Sequence, residues 1–451
     1  MGNFRPINRD TGFLLPPSVD EWLPERHLAR FVVDVIDQLD LSELENSYRG
    51  SGSASYHPAM LLGLLIYGYA TRVFSSRALE RATYDSVAFR FIAGNDHPDH
   101  DTIAAFRKRF IEHIEPLFVE VLKLARAMGM LKMGTVALDG TKVHANASRH
   151  SALSYGHGKK IEKKLRREVR QLLTLAENAD EADIPDGMSI PEELERRETR
   201  LAAIAEAKAK IEERVAEREE AEYEAKLTER EEKEQRTGKK PRGRPPEPPS
   251  GGVDSQEQIN LTDEDSRIMP VPGGGFDQCY NAQAAVAAES LLVLSTEVTQ
   301  AANDKEQVAP MLEKLQELPA ELGEVERLLT DSGYLSEKNV EACAAAGIEP
   351  LMALGRERHH ASWRERFGAA PRRPPRESAT ALEKMRYRLK TPEGRALYAL
   401  RKQIPEPVFG IIKSTLGFRQ FLLRGLENVK GEWSLVTMSW NLKRMFALQL
   451  T

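Results

Sequence analysis

The chain has 451 residues, too many for one simple hydrophobic core, and its 41% hydrophobic content is that of a folded protein of two or three domains. Lys+Arg 64 against Asp+Glu 69 gives a net charge of −5, which excludes a uniformly basic nucleic-acid binder and leaves only a segregated basic surface for that role. Cys279 and Cys343 lie far apart in no metal-ligand pattern, against a disulfide scaffold or a zinc site. The N-terminal residues carry no signal-type apolar core, and the longest apolar run, Ala59 to Ala70, is too short for a bilayer, so the expectation is a cytoplasmic protein with no membrane segment.

Residues Pro16 to about Met130 read as helices, with candidates at Arg26 to Gln38, Pro58 to Phe74, Ser76 to Asp85, Ser86 to Ile92 and Thr102 to Met128. His57 before Pro58 and Asp101 before Thr102 are start signals. Arg72, Arg77, Arg81, Arg90, Arg107, Lys108 and Arg109 give this stretch basic edges. Two readings fit: a helix-turn-helix-like module, or a plain helical bundle with solvated arginines.

Met133 to Asp139 (MGTVALD) is a short, partly β-branched apolar run ending in an acid before Gly140, and it predicts a strand that delivers Asp139 to its end. Val325 to Asp331 (VERLLTD), followed by Ser332 and Gly333, repeats the design. Acids at strand ends are better site candidates than acids in mid-helix. Behind Asp139, Lys142 is placed to contact phosphate, and His144 is open to a phosphate, metal or structural role.

Gly158 to Lys240 is dominated by Glu, Lys, Arg and Ala, with leucine and isoleucine too sparse for a globular core. It reads as two helical arms, about Lys159 to Glu177 and Pro191 to Gln235, forming an antiparallel hairpin or a partly disordered arm. Pro241 to Gly252 (PRGRPPEPPSGG) is a connector, whose Gly243 to Pro245 context reads either as solvated linker or as a short minor-groove arm.

Phe276 to Ala287 and Leu291 to Thr299 read as a strand hairpin, Asn303 to Leu315 and Ser336 to Ala345 as helices, and Ile348 to Ala353 as a further strand. With the charged arm counted as an insertion, this is the element order of an RNase H-like core, and Asp139 and Asp331 would fall on adjacent strands. Near the C-terminus, Tyr398 to Lys413 (YALRKQIPEPVFGIIK) puts Glu406 at or near a helix start, with Lys413 seven residues on along the same face. Arg356 to Lys390 is densely basic with Trp363, Phe367 and Tyr387 interleaved, and reads as a DNA-contacting surface or as a solvated basic loop.

Three stretches carry a resemblance: ALDGTKVHANAS around Asp139, LLTDSGYLSEKN around Asp331, and the stretch around Glu406, whose Tyr398, Arg401, Glu406 and Lys413 match a Tyr-Arg-Glu-Lys pattern. Together with WNLKRM from Trp440 to Met445 and the early HPAMLLGLLIYGYATRVFSSRALE, they resemble bacterial insertion-sequence transposases of the DDE type. The resemblance implies an α/β RNase H-like (retroviral-integrase-like) catalytic core, an all-α N-terminal domain and a long charged helical insertion. Segments follow: 1–130, helical and DNA-binding; 131–157, first catalytic strand and loop; 158–252, insertion and linker; 253–451, remainder of the core.

By the same resemblance Asp139, Asp331 and Glu406 are the catalytic, metal-holding acids, with Asp139 bridging two ions and the others holding one each. The cofactor implied is Mg²⁺, two ions per active site, with Mn²⁺ able to substitute; two such ions about 3.5 to 4 Å apart activate the attacking oxygen and stabilise the leaving one. Tyr398, Arg401, Lys413 and Lys142 would hold double-stranded DNA, both terminal inverted repeats and target. Pairing two element ends implies a homodimer or larger assembly on DNA, associated with the nucleoid when bound. The alternatives are a nuclease or resolvase on the same fold that cuts without strand transfer, and a non-catalytic DNA-binding descendant.

Overall fold

The computed structural model describes residues 18–48, 55–177, 189–240, 243–355 and 373–450. The chain divides into two compact units, one made of 1–146, 269–275 and 279–451, the other of 147–268 and 276–278.

The described residues of the first unit that precede the sheet form eight helices: α1 Val19–Trp22, α2 Leu28–Ile36, α3 Ser42–Asn46, α4 Pro58–Ala70, α5 Ser76–Asp85, α6 Val87–Ile92, α7 His100–Phe110 and α8 Ile114–Ala127. Helix α4 is the apolar run of the sequence. Pro58 occupies its first turn, where a missing N–H costs nothing, His57 Nδ1 accepts from Ala59 N at 3.2 Å, and nearly every residue from Leu61 to Ala70 is buried. The single helix expected over Thr102 to Met128 is two, α7 and α8, separated by a 3₁₀ turn at Ile111–His113. Pro116 lies in the first turn of α8 and cannot extend a helix from the N-terminal side, which is why the break falls there.

Among the described residues eight strands follow: β1 Gly134–His144, β2 Ala152–Ser154, β3 Gln258–Asn260, β4 Arg267–Pro270, β5 Phe276–Ala287, β6 Val293–Thr299, β7 Val325–Thr330 and β8 Glu349–Met352. The main sheet runs β4-β5-β1-β7-β8, with β6 also pairing with β5. β6, β5 and β1 are antiparallel, whereas β1, β7 and β8 are parallel. This mixed order is the RNase H-like one expected from the sequence, and β1 and β7 are neighbours. Helices α11 Val308–Gln316 and α12 Glu337–Ala345 connect the later strands.

One expectation about β1 changes. The strand does not stop at Asp139 but runs on to His144. Gly140 is a point of close approach, not a turn: a Cβ there would lie 2.2 Å from Gln283 Nε2, 2.7 Å from Asp304 Oδ1 and 3.0 Å from Asn281 Oδ1. Asp139 is therefore a mid-strand residue, while Asp331 does stand just past the end of β7.

Three short helices, α13 Ala381–Arg388, α14 Pro392–Ala399 and α15 Pro405–Gly410, lead to the long C-terminal helix α16 Leu426–Gln449. Helix α16 packs on β6, α4 and α8 and buries residues around its whole circumference, Trp433, Leu435, Val436, Met438 and Leu442 among them. Its polar residues are matched: Asn441 accepts from Val293 N and donates to Val293 O, each at 2.8 Å, closing the start of β6. Buried Glu432 accepts from Tyr69 OH at 2.7 Å, Leu422 N at 3.0 Å and Leu423 N at 2.9 Å. Among the described residues no helix is long and apolar enough to cross a membrane.

The second unit contains α9 Tyr155–Glu177 and α10 Ile190–Thr237, packed together as the expected hairpin of two charged helices. The residues thought to form its turn, 179–187, lie outside the described residues, as do Pro241 and Arg242 of the connector. The unit has a small core that composition concealed, built from Leu165, Ile204, Ile211 and Val215 of the arms with Leu153, Tyr155 and Ile259 from β2, its flank and β3. Arm residues sparse in sequence suffice because they recur along one face and meet apolar partners from outside the arms.

Candidate active site

Asp139 leaves β1 beside β7, and Asp331 follows the end of β7. Asp331 caps the 3₁₀ turn Ser332–Tyr334 by accepting from Gly333 N at 2.7 Å; a Cβ on Gly333 would come within 2.9 Å of that oxygen. Glu406 is exposed in the first turn of α15, at the helix start expected for it, with Pro405 as the first residue. Pro405 at that point costs no hydrogen bond and presets the helical φ.

Arg401 ties these acids together. Its Nη2 lies 3.6 Å from Asp139 Oδ2 and 3.8 Å from Glu406 Oε1, and Asp331 is also within electrostatic reach. Burial pulls the guanidinium pKa down, but the charges of Asp139, Asp331 and Glu406 together raise it. Its Nε is buried with no hydrogen-bond partner. Tyr398 stands near Arg401, electrostatically coupled to it.

Asp139 accepts from Gly140 N at 2.9 Å, and its side chain is only 16% exposed. Burial pushes its pKa up to about 7; Arg401 opposes the rise, while Asp331 and Asp304 add to it. A fourth acid therefore belongs to this neighbourhood. Asp304 Oδ1 accepts from Asn281 Nδ2 at 2.6 Å and Gln283 Nε2 at 2.8 Å, and lies 3.7 Å from Lys142 Nζ. Tyr334 OH donates to Gln283 Oε1. Asp304 was not singled out from sequence. Its signal was in β5, where Asn281 and Gln283, two apart and so on one face, are buried polar residues.

Lys413 lies in a π-helical turn, Ile411–Thr415, where Leu416 N donates to Ile411 O at 2.7 Å. Its Nζ donates to the carbonyl of Lys142, so these two lysines of the expected DNA-contacting set meet. Burial first, then Lys142 and Arg419, lower its pKa to about 8. His144 faces Cys279, with Nδ1 3.9 Å from Sγ. Of the basic stretch Arg356 to Lys390, residues 356–372, with Trp363 and Phe367, lie outside the described residues; Tyr387 is in α13.

The donor set suits a hard divalent cation. Asp139, Asp331 and Glu406 offer carboxylate oxygens, the ligand type such a cation prefers, and Asp139 lies within electrostatic reach of Asp331 and Asp304. Among the described residues no three His, Cys, Asp or Glu side chains already converge on one point, and Arg401 occupies the space between Asp139 and Glu406.

The two shifted groups set a pH dependence. Asp139 has a folded pKa above its unfolded value, so its penalty to folding is absent well below pH 4 and fully present above pH 7. Lys413 has a folded pKa below its unfolded value, so its penalty is fully present below about pH 8 and fades above it. The metal-free chain is expected to be least stabilised by this pair between pH 7 and 8. Thermal midpoints across pH 5 to 10, with and without divalent cation, check this; a cation that left the fall in stability from pH 5 to pH 8 unchanged would argue against binding at Asp139.

Two family models match the chain. Residues 17–109 match a family model described as a transposase domain (DUF772), and residues 257–442 match one described as a transposase DDE domain. Asp331 and Glu406 fall within the second match, and Asp139 lies in the stretch between the two. No curated protein and no solved structure matched the chain. The DDE transposase domain carries the RNase H-like fold, and its family works on DNA with divalent metal ions. The chain belongs to the insertion-sequence transposases of the DDE type and is an enzyme of DNA transposition.

Proposed function

We propose that Asp139, Asp331 and Glu406 are the catalytic acids that hydrolyse the phosphodiester at an element end and then join the freed 3′-hydroxyl to target DNA. The observation that carries the reading is the shared guanidinium of Arg401, which gathers a mid-strand acid, a strand-end acid and a helical acid from three distant parts of the sequence. Two Mg²⁺ ions, with Mn²⁺ able to replace them, would be held by these three residues and supply Lewis acidity at the phosphate and a more acidic water. Asp139 and Asp331 hold fixed positions because each accepts a backbone N–H, from Gly140 and Gly333. Glu406, exposed on α15, completes the set by approaching the same Nη2 of Arg401 as Asp139.

Lys413, Lys142, Arg401 and Tyr398 bind the DNA end in this reading, the cations against phosphates and the tyrosine against a sugar or base. The helices of residues 1–130 form an all-α DNA-binding domain, 131–157 and 253–451 form the catalytic core, and 158–252 is an insertion. The protein works in the cytoplasm, on the nucleoid. Two protomers or more pair two ends; a sedimenting complex of one protomer with one end would count against that.

The test is a labelled duplex carrying the element's own ends, with divalent cation, scored separately for cutting and for joining to a second duplex. Cutting without joining would give a nuclease, and binding without either a non-catalytic descendant.

A further inference from the structure

We infer that Arg72, Arg419 and Lys443 continue the Lys413 contact into a sequence-independent track for the phosphate backbone of duplex DNA. The inference rests on the catalytic reading above for its starting point, Lys413, and adds three residues which that reading does not use.

The observation is a cluster of cations spent on carbonyl oxygens. Arg419 Nε donates to Lys413 O at 3.0 Å. Arg72 donates from Nε to Thr415 O and from Nη2 to Ser414 O at 3.3 Å, so both guanidiniums sit on the turn that carries Lys413. Lys443 Nζ donates to Ala70 O at 2.7 Å, just before Arg72 in the chain. None of these bonds neutralises a charge. The cations also feel one another: after burial, Lys142 and Arg419 lower the Lys413 pKa, and Arg72 lowers that of Lys443. Arg72 and Arg419 are exposed, and Lys413 and Lys443 half-buried, so the charge is presented outward.

Arg72 adds a second line. Its φ is 75°, and Val73 N donates to Gly68 O at 2.8 Å, the closing bond of a helix C-terminus whose left-handed position glycine fills by default. Packing alone would favour glycine there. An arginine held in that conformation costs strain and returns a guanidinium aimed at the Lys413 turn. A row of like charges close together and facing outward is suited to a polyanion whose charges are closely spaced, and duplex DNA carries one per about 1.7 Å of axis.

The experiment measures binding of the full-length, metal-free protein to a duplex of unrelated sequence at several salt concentrations. For Arg72→Gln combined with Arg419→Gln, the slope of log K against log salt should become shallower by about 1.8, at about 0.9 for each phosphate no longer neutralised. Arg72→Lys with Arg419→Lys keeps the charges while removing the planar donors, and should retain the wild-type slope. Arg72→Gly relieves the backbone strain and stays folded where the double variant fails to; its slope should fall by about 0.9. A wild-type slope in the glutamine or glycine variants overturns the track. A decrease in the lysine pair as large as in the glutamine pair also overturns it, because the arginines would then only anchor the turn. Glu406→Gln, scored separately for cutting of element-end DNA with divalent cation, separates the two readings: cutting by that variant would sink the assignment of the acids without touching the track, and intact slopes in the glutamine and glycine variants would sink the track without touching the acids.

Discussion

Asp139→Asn is expected to cut end DNA at least about 10³-fold more slowly than the wild type while making the metal-free chain more stable. The activity loss follows from electrostatics: one preorganised group facing developing charge contributes about 10² to 10³ in rate, and a carboxylate that also recruits a cation contributes more. At 1.36 kcal/mol per tenfold, 10³ corresponds to about 4 kcal/mol of transition-state stabilisation. The stability gain follows from the raised pKa: above pH 7 the fold carries a buried negative charge near Asp331 and Asp304, which the amide removes while its oxygen still accepts from Gly140 N. Asp331→Asn should likewise keep its cap to Gly333 N, and Glu406→Gln is exposed, so both variants should fold and bind DNA while failing to cut or join. Cleavage kinetics beside urea unfolding read both effects. Residual cutting within tenfold of wild type, or an Asp139→Asn chain less stable than wild type above pH 7, would move the catalytic role to other carboxylates.

The second large effect is on folding. Glu432→Ala should cost about 3 to 5 kcal/mol, because it strands buried donors at Tyr69 OH, Leu422 N and Leu423 N. The damage does not stop at one helix. Tyr69 also accepts from Arg107 Nη1 at 3.2 Å, so the acid joins α4, α7, α16 and the 422–423 turn. Glu432→Gln keeps one acceptor oxygen and should cost about 1 to 2 kcal/mol. Equilibrium unfolding followed through buried Trp433, the next residue on α16, measures both. An alanine variant within about 1 kcal/mol of wild type would mean that water replaces the carboxylate.

What the sequence made legible is what is written locally. The runs to Asp139 and Asp331 read as strands because a half-dozen apolar and β-branched residues suffice, and the alternation of strands and helices then gave the RNase H-like order. The length of β1 escaped, because Gly140 reads equally as a turn residue or as a close approach, and only Gln283 and Asp304 across the sheet decide between them. Asp304 and Glu432 were invisible for a related reason: a loop acid and a helix acid look solvated until burial is known. Helix α16 carries no one-sided stripe because it is covered on every side, so periodicity has nothing to report. Arg401 was matched to a pattern, but its position between two acids depends on three backbone segments meeting.

The second unit begins at Ala147, three residues past the end of β1 at His144, and the chain re-enters the first unit at Met269 in β4, which pairs with β5, the neighbour of β1 in the same sheet. Both ends of the insertion thus issue from strands of one sheet, with β5 between them. Closing a longer or shorter excursion between fixed ends changes the chain entropy by only about 0.6 kcal/mol per doubling of length. Evolution can lengthen, trim or exchange this arm at almost no thermodynamic penalty to the strands bearing Asp139 and Asp331, which makes it the part of the molecule freest to diverge between related elements.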